Sequence, residues 1–383
     1  MRPEPARTDR GARHTPGVSR PRFSRALSRA AALAALLCAA FAPSASAASF
    51  EKAIWGPLTT PSGASAFPVY KQLGVDTYEI QLVWAEVARW RPANAGDPRD
   101  PAYRWPSELR DVIRQARASR IRVALMVKGT PRWANGGKDV TVPPADDADL
   151  ANFFTAAIKH YPSVRRWMVW GEPSRLDNWS PIPPHAPDAP RRYAMLLDTS
   201  YAAIKKADPH AIVIGGMTFT AGDVYPGEWV QFMRLPDGKP PRMDWWGHNP
   251  YTPRKPDITL NPYFENGRDF SDLDTYAGEI SAAYRGAHML VPRLWLSEFN
   301  ISTDRANRAF PFFVTRPEQA VWLTDAYGIA RKLKVAGLGW YGLYDEPASV
   351  KNGYTFGLLD AAGKTKPAFD AYRRVRSAPP AGR

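Results

Sequence analysis

Trp167-Met168-Val169-Trp170-Gly171-Glu172-Pro173 is an apolar, aromatic-rich run that stops abruptly on a glutamate followed by a proline. A second run of the same kind, Leu294-Trp295-Leu296-Ser297-Glu298-Phe299-Asn300, also carries a glutamate near its end. Near-continuous apolar segments of this length read as strands buried on both faces, the usual condition of a parallel sheet. An acid placed where such a strand meets a loop has costly surroundings for its charge. Two of them in one α/β chain suggest paired carboxylates facing each other across a cleft.

Working outward from these runs, the chain alternates between strand-like and amphipathic segments. Strands are expected over 53–55, 77–83, 121–127, 166–170, 211–215, 244–247, 294–297 and 338–341. Helices are expected over 67–73, 108–118, 149–160, 190–207, 228–234, 273–286, 317–335 and 367–375. Eight strands in strict alternation with eight helices predict an α/β protein of the (β/α)8 TIM-barrel class, as a single domain over 48–376. A doubly wound open sheet is the alternative. It would usually show a Gly-rich turn after its first strand, and Trp55-Gly56-Pro57 is not one. In a barrel, the long loops after strands three, six, seven and eight line the C-terminal face, where active sites sit. Segments 252–272 and 301–316 are expected to shape whatever binds there.

The first 47 residues read as a secretory signal peptide. All eight of their arginines, against two acids, precede residue 30, and an apolar stretch over 30–42 leads to Pro43-Ser44-Ala45-Ser46-Ala47. A basic segment, a short apolar core and an A-x-A site predict general secretory export, with cleavage near Ala47. The apolar stretch is too short to span a bilayer. The chain's single cysteine, Cys38, lies in this leader, so the exported protein is expected to rely on its core rather than on disulfides. The whole chain carries 51 basic and 37 acidic residues. Setting aside the leader's share leaves a net charge of +8 without any Lys/Arg block. Nucleic-acid binding would need a concentrated basic stripe, so no nucleic-acid partner is expected, and no membrane partner after cleavage. Residues 377–383 read as a short C-terminal tail, and a monomer is the default expectation.

Counting strands puts Glu172 at the end of the fourth and Glu298 at the end of the seventh, both at one mouth of a closed barrel. A glutamate there can also serve merely as a helix cap or as an arginine's partner on the rim. Paired carboxyls, however, are the equipment of glycosidic bond cleavage, with one protonated to donate to the leaving oxygen and one ionised to attack. Two acids held close push their titrations apart, which keeps one of them protonated near neutral pH. Other chemistries lack their signatures. There is no Gly-rich phosphate loop, no zinc-binding histidine spacing and no G-x-S-x-G elbow, so neither a metal nor a cofactor is expected.

The chain resembles glycoside hydrolase clan A, and within it families thirty-nine and five. Trp170-Gly171-Glu172-Pro173 resembles the WNEP motif after strand four, and Trp295-Leu296-Ser297-Glu298 resembles the nucleophile strand. The resemblance implies Glu172 as acid/base and Glu298 as nucleophile. Gly129-Thr130-Pro131-Arg132-Trp133-Ala134 resembles the turn after strand three, and Gly339-Trp340-Tyr341 the strand-eight tryptophan that floors the sugar site. His248-Asn249-Pro250-Tyr251 resembles the strand-six H-x-x-Y element, implying that Tyr251 touches Glu298. Trp84-Ala85-Glu86-Val87 resembles the strand-two loop, and Gly357-Leu358-Leu359-Asp360 the closing segment.

Trp84, Trp133 and Trp340 fall at predicted strand ends, where a flat ring can stack on a sugar. His248 is either a hydrogen-bonded structural residue or a mouth-facing one. One departure stands out. Gly171 occupies the substrate-binding position where the clan has an asparagine that contacts the sugar 2-hydroxyl. The reading is a secreted retaining β-glycosidase acting on a carbohydrate. A glycan-binding barrel that no longer hydrolyses is the rival, and a transglycosylase would use the same residues.

Overall fold

The computed structural model describes residues 50–182, 187–306, 311–347 and 353–376. The expected leader (1–47) and tail (377–383) lie outside the described residues. Eight parallel strands close into a barrel: β1 (Glu51–Trp55), β2 (Thr77–Val83), β3 (Arg122–Lys128), β4 (Arg166–Val169), β5 (Ile212–Phe219), β6 (Trp245–Asn249), β7 (Arg293–Phe299) and β10 (Gly337–Tyr341). β1 pairs with both β2 and β10, which completes the ring and leaves no free edge. A small two-stranded sheet, β8 (Ser302–Thr303) with β9 (Phe313–Val314), sits in the connection after β7. The (β/α)8 fold expected from the alternation is the fold observed.

The helices are α1 (Phe67–Leu73), α2 (Trp84–Val87), α3 (Ser107–Ala118), α4 (Asp147–His160), α5 (Asp188–Ala207), α6 (Pro226–Phe232), α7 (Leu273–Gly286), α8 (Arg316–Lys332) and α9 (Pro367–Arg374). Their starts follow local chemistry. Asp146 accepts the Ala148 amide at 2.9 Å before α4, and Thr315 and Glu318 form a reciprocal capping box before α8. α1 ends on Gly74 at φ 68°, a left-handed cap that suits glycine. None of the helices among the described residues is long and apolar enough to cross a membrane.

Strand alternation sorts side chains into two cores. Ile54, Tyr78, Leu125, Val127, Trp167, Val169, Trp246, Leu296, Leu338 and Trp340 point outward and pack under the helices. Ala53, Trp55, Ala124, Met126, Met168, Ile214, Trp245 and Trp295 fill the barrel. Burying each large outward side chain contributes about 1.5–3 kcal/mol. At the base, the buried Glu51 accepts from Thr77 Oγ1 at 2.7 Å and from Arg166 Nε at 2.8 Å, while the Arg166 guanidinium lies over the Trp245 ring at 5.7 Å. The charged pair and the stacked Trp245–Trp295 rings, 5.2 Å apart, plug the N-terminal end. Chemistry is thereby confined to the opposite mouth.

Two local departures from the expected pattern shape that mouth. The fourth strand ends at Val169 rather than Trp170, because Trp170 turns into the left-handed region at φ 71°. The residues from Trp84 begin a one-turn helix directly off β2.

Candidate active site

Glu298 reaches the mouth through an irregularity in β7. Leu338 of β10 faces Leu296, and Trp340 faces Phe299, so Ser297 and Glu298 together oppose the single residue Gly339. Strict alternation would send Ser297 inward and Glu298 outward. The extra residue lets Phe299 rejoin the outer core while Glu298 turns to the mouth, as a β-bulge does. Gly339 makes this possible: a side chain there would fall on the Ser297 carbonyl oxygen and on Glu79 Oε1. A glycine inside a strand commonly marks such a close approach.

Glu172 is aimed by a strained turn. Trp170 and Glu172 both have positive φ, 71° and 44°, conformations that cost about 1–3 kcal/mol each and persist only where the surroundings enforce them. The Trp170 indole is fully buried, donates to the Asn178 carbonyl at 2.8 Å and packs edge-on to Trp179 at 5.1 Å. Gly171 between them backs onto Met126, whose Sδ would lie 2.6 Å from an added Cβ. The turn is thus held by what it buries, and the carboxyl is left half-buried at the rim.

Each carboxyl has its own polar partners. Asn249, at the inward-facing end of β6, donates to Glu172 Oε1 at 2.8 Å. Arg175 and Asn178 donate to Glu172 Oε2 at 3.2 and 3.4 Å. Lys128, at the end of β3, donates to Asn178 Oδ1 at 3.0 Å. The Tyr251 hydroxyl donates to Glu298 Oε2 at 3.1 Å. Arg175 is held more firmly by Asp177, with contacts of 2.6 and 3.0 Å, so part of its charge is neutralised before it meets Glu172.

Burial pushes both carboxyls above the usual glutamate range. For Glu298, burial first and the charge of Glu172 second raise the pKa to about 8, against the opposing Tyr251 hydrogen bond and the Lys128 ammonium. For Glu172, burial raises it, while Arg175 and Asn249 pull the other way. Each charge disfavours the other, so the pair retains one proton around neutral pH. Burial also lowers the Lys128 pKa, although the two glutamates oppose that fall. Tyr251 is pushed well above the usual phenol range by burial and then by Glu298, which keeps it a neutral donor.

Aromatic rings surround the pair. Trp55 and Tyr341, inward-facing ends of β1 and β10, lie 6.5 Å apart at 41°. Burial, followed by Glu298, raises the Tyr341 phenol to about 12. Beside Tyr251, a cavity of about 110 Å³ is walled by Phe219, Pro253, Phe264, Ile301 and Phe312. The buried acceptors Asn249 Oδ1 and Asn300 Oδ1 have no hydrogen-bond partner among the described residues.

Of the residues singled out from sequence, Glu172, Glu298, Gly171 and Tyr251 come together here. Four others do not. Trp340 is fully buried on the outward face of β10, edge-on to Phe299 at 5.9 Å and donating to the Phe356 carbonyl at 3.2 Å; its neighbour Tyr341 holds the mouth position expected of it. His248 is fully buried and outward-facing, bonded to Thr218 Oγ1 at 2.9 Å and the Arg268 carbonyl at 2.8 Å, and burial lowers its pKa to about 4. It is a neutral structural residue, and Asn249 takes the inward place. Trp84 is 1% exposed and packs on Trp133 and Phe153, so it offers no face to a ligand. Trp133 donates to the Ala88 carbonyl at 2.7 Å and is covered by the Arg91 guanidinium at 4.5 Å.

Asn249, Lys128, Arg175, Trp55 and Tyr341 are site residues that the motifs did not single out. The signal available for the strand residues was alternation. Asn249 shares parity with Trp245, Tyr341 with Gly339, and Lys128 with Met126.

No protein-family model matches the chain, and no curated protein matches it. Solved structures do. A family 39 glycoside hydrolase from the gut symbiont Bacteroides cellulosilyticus WH2 superposes with a TM-score of 0.60 at 18% identity over 85% of this chain. A glucosidase from Croceicoccus marinus gives 0.60 at 14%, and a monomeric beta-xylosidase from Caulobacter crescentus CB15 gives 0.57 at 17%, each over 85% of this chain. The chain spans 63% of the first of these structures and 67% of the other two. At such identities the likeness is one of fold, and the fold neighbours include family thirty-nine, which the sequence motifs resemble.

Proposed function

We propose that this chain is a secreted, cofactor-free retaining glycosidase that cleaves a β-linked glycan or glycoside. The observation that carries the proposal is the convergence of Glu172 and Glu298 at one aromatic-walled mouth, close enough for the charge of one to act on the other, with Asn249, Asn178 and Lys128 about Glu172 and Tyr251 on Glu298. The coupled pair holds one proton around neutral pH; burial and the Glu172 charge favour it on Glu298 at rest, and the reactive form is the one that carries it on Glu172. Glu172 donates that proton to the glycosidic oxygen as the ionised Glu298 attacks the anomeric carbon. The C–O bond breaks, the alcohol departs, and a covalent glycosyl-Glu298 ester remains. Water then attacks the same carbon, Glu172 takes its proton, and the Glu298 carboxylate leaves with configuration retained. β-Xylosidase and glucosidase activities in the fold neighbours support β-linked pentosides and hexosides as first substrates.

A second reading has one observation in its favour. Arg175, Asn178 and Asn249 all donate to Glu172, which stabilises its carboxylate and not the protonated acid. A barrel that binds glycans without cleaving them would show such an arrangement. Turnover of aryl β-xylosides and β-glucosides, with anomeric outcome followed by NMR and Glu298→Gln as control, separates the two. Retained configuration that disappears in the variant supports the glycosidase, whereas glycan binding without turnover supports the binder. Export and removal of the leader are tested by N-terminal sequencing of the exported protein, expected to begin at Ala48.

A further inference from the structure

Glu79, the third residue of β2, is 1% exposed and lies inside the barrel beneath the mouth. Its Oε2 accepts from Ser297 Oγ at 2.7 Å and from Trp295 Nε1 at 3.3 Å, both neutral donors. Its Oε1 has no partner among the described residues. That oxygen and the Ser297 carbonyl oxygen both occupy the space opened by the absent side chain of Gly339. The same carbonyl accepts from Trp55 Nε1 at 3.2 Å. The charged neighbours that act on Glu79 are Glu298 on β7 and Glu51 on β1, both negative. From outside the barrel wall, the phenols of Tyr327 on α8 and Tyr372 on α9 lie within its electrostatic reach, their hydroxyls donating to the Leu338 and Ala53 carbonyls. An ionised Glu79 would thus be buried with one oxygen bare and no cation paired to it among the described residues, the costly case for a carboxylate, and it would repel Glu298 whenever that acid ionises. A protonated Glu79 resolves the deficit, because its Oε1–H can donate to the Ser297 carbonyl.

We infer that Glu79 is a neutral carboxylic acid that positions Glu298. It accepts from the Ser297 hydroxyl and donates to the Ser297 carbonyl, and so pins the bulge that turns Glu298 into the mouth. Being uncharged, it leaves the ionisation of Glu298 unopposed from below. Burial pushes its pKa well above the usual range, in the direction this role needs. The positioning role rests on Glu298 being the nucleophile, whereas the protonation state stands on Glu79's own surroundings.

The test is Glu79→Gln, whose amide reproduces both the acceptor and the donor of the neutral acid. A glutamate in the unfolded chain ionises above about pH 4.3. If the folded chain keeps the proton, the wild-type folding equilibrium falls about tenfold per pH unit relative to the Gln variant as pH rises beyond that point. Denaturant unfolding should therefore find the two alike near about pH 4 and the Gln variant ahead by on the order of several hundredfold near about pH 7. Parallel stability curves would mean that Glu79 ionises in the fold as it does in the unfolded chain, and would overturn the inference. This comparison needs no turnover, so its failure is separable from failure of the glycosidase reading.

In kinetics, Glu79→Gln should keep kcat, KM and both pH limbs. Glu79→Leu, or Ser297→Ala should the leucine variant not fold, should lower kcat about tenfold or more with KM within about twofold, the loss expected from a misplaced group. A Gln variant as impaired as the Leu variant would show that the acid proton itself is needed. An undisturbed kcat in both Glu79→Leu and Ser297→Ala would remove the positioning role.

Discussion

The Asn249 amide stands 2.8 Å from Glu172 Oε1 and ties the end of β6 to the acid that follows β4. It is the shortest of the three contacts that Glu172 accepts, and it comes from a residue whose other amide atom, Oδ1, has no hydrogen-bond partner among the described residues. A buried amide with one end on the acid orients the proton donor.

Asn249→Ala should therefore lower kcat/KM by roughly 10- to 100-fold, the worth of a hydrogen bond of about 1.5–3 kcal/mol to a charged group. Removing a donor that favours the carboxylate raises the Glu172 pKa. Its proton is then lost at higher pH, so the alkaline limb of the pH–rate profile should move upward. A fixed limb would mean that Glu172 does not govern it.

Tyr251→Phe acts on the other acid. The hydroxyl lowers the pKa of Glu298, so its loss raises a value already pushed to about 8. The nucleophile must ionise to attack, and the acid limb of kcat/KM should shift to higher pH, with a slower rate below it. An unshifted acid limb would separate Tyr251 from the ionisation of Glu298.

Gly339→Ala places a methyl group on the Ser297 carbonyl and Glu79. Because backbone lies in the way, relief requires β7 and β10 to part, and overpacking of this kind costs about 1–3 kcal/mol or more. Tm should fall and activity should fall further than Tm alone accounts for, since the bulge carrying Glu298 is what moves. Equal Tm and equal kcat would contradict the bulge.

Trp340 and Tyr341 should behave in opposite ways despite being adjacent. Trp340→Ala empties a fully buried site under the helices and should cost about 3–5 kcal/mol of stability. Tyr341→Ala, at the mouth, should leave Tm nearly unchanged and raise KM. Thermal melts and Michaelis curves on both variants decide which ring the substrate meets.

These paired residues also show where the sequence was readable. The barrel was legible because each buried strand is a short apolar run followed by an amphipathic helix, a signal that survives errors of one or two residues at the boundaries. The two glutamates were legible because an acid closing such a run is conspicuous. Which neighbour faces inward was not, because a shift of one residue exchanges the two faces of a strand. Motif resemblance pointed to Trp340 and His248, while alternation places Tyr341 and Asn249 at the mouth. The bulge at Ser297–Glu298 arises from pairing with β10, a contact that no local pattern reports; Gly339 was its only local trace. Glu79 was hidden for the same reason, as an acid inside an apolar strand whose partners lie more than two hundred residues away.

Covalent labelling tests the central claim most directly. The protein would be incubated with a β-glycoside fluorinated beside the anomeric carbon and bearing a good leaving group, and its peptides mapped by mass spectrometry. The account predicts one glycosyl adduct, carried by Glu298 and absent from Glu298→Gln. An adduct on Glu172, or none on a protein shown to bind the same sugar, would contradict it.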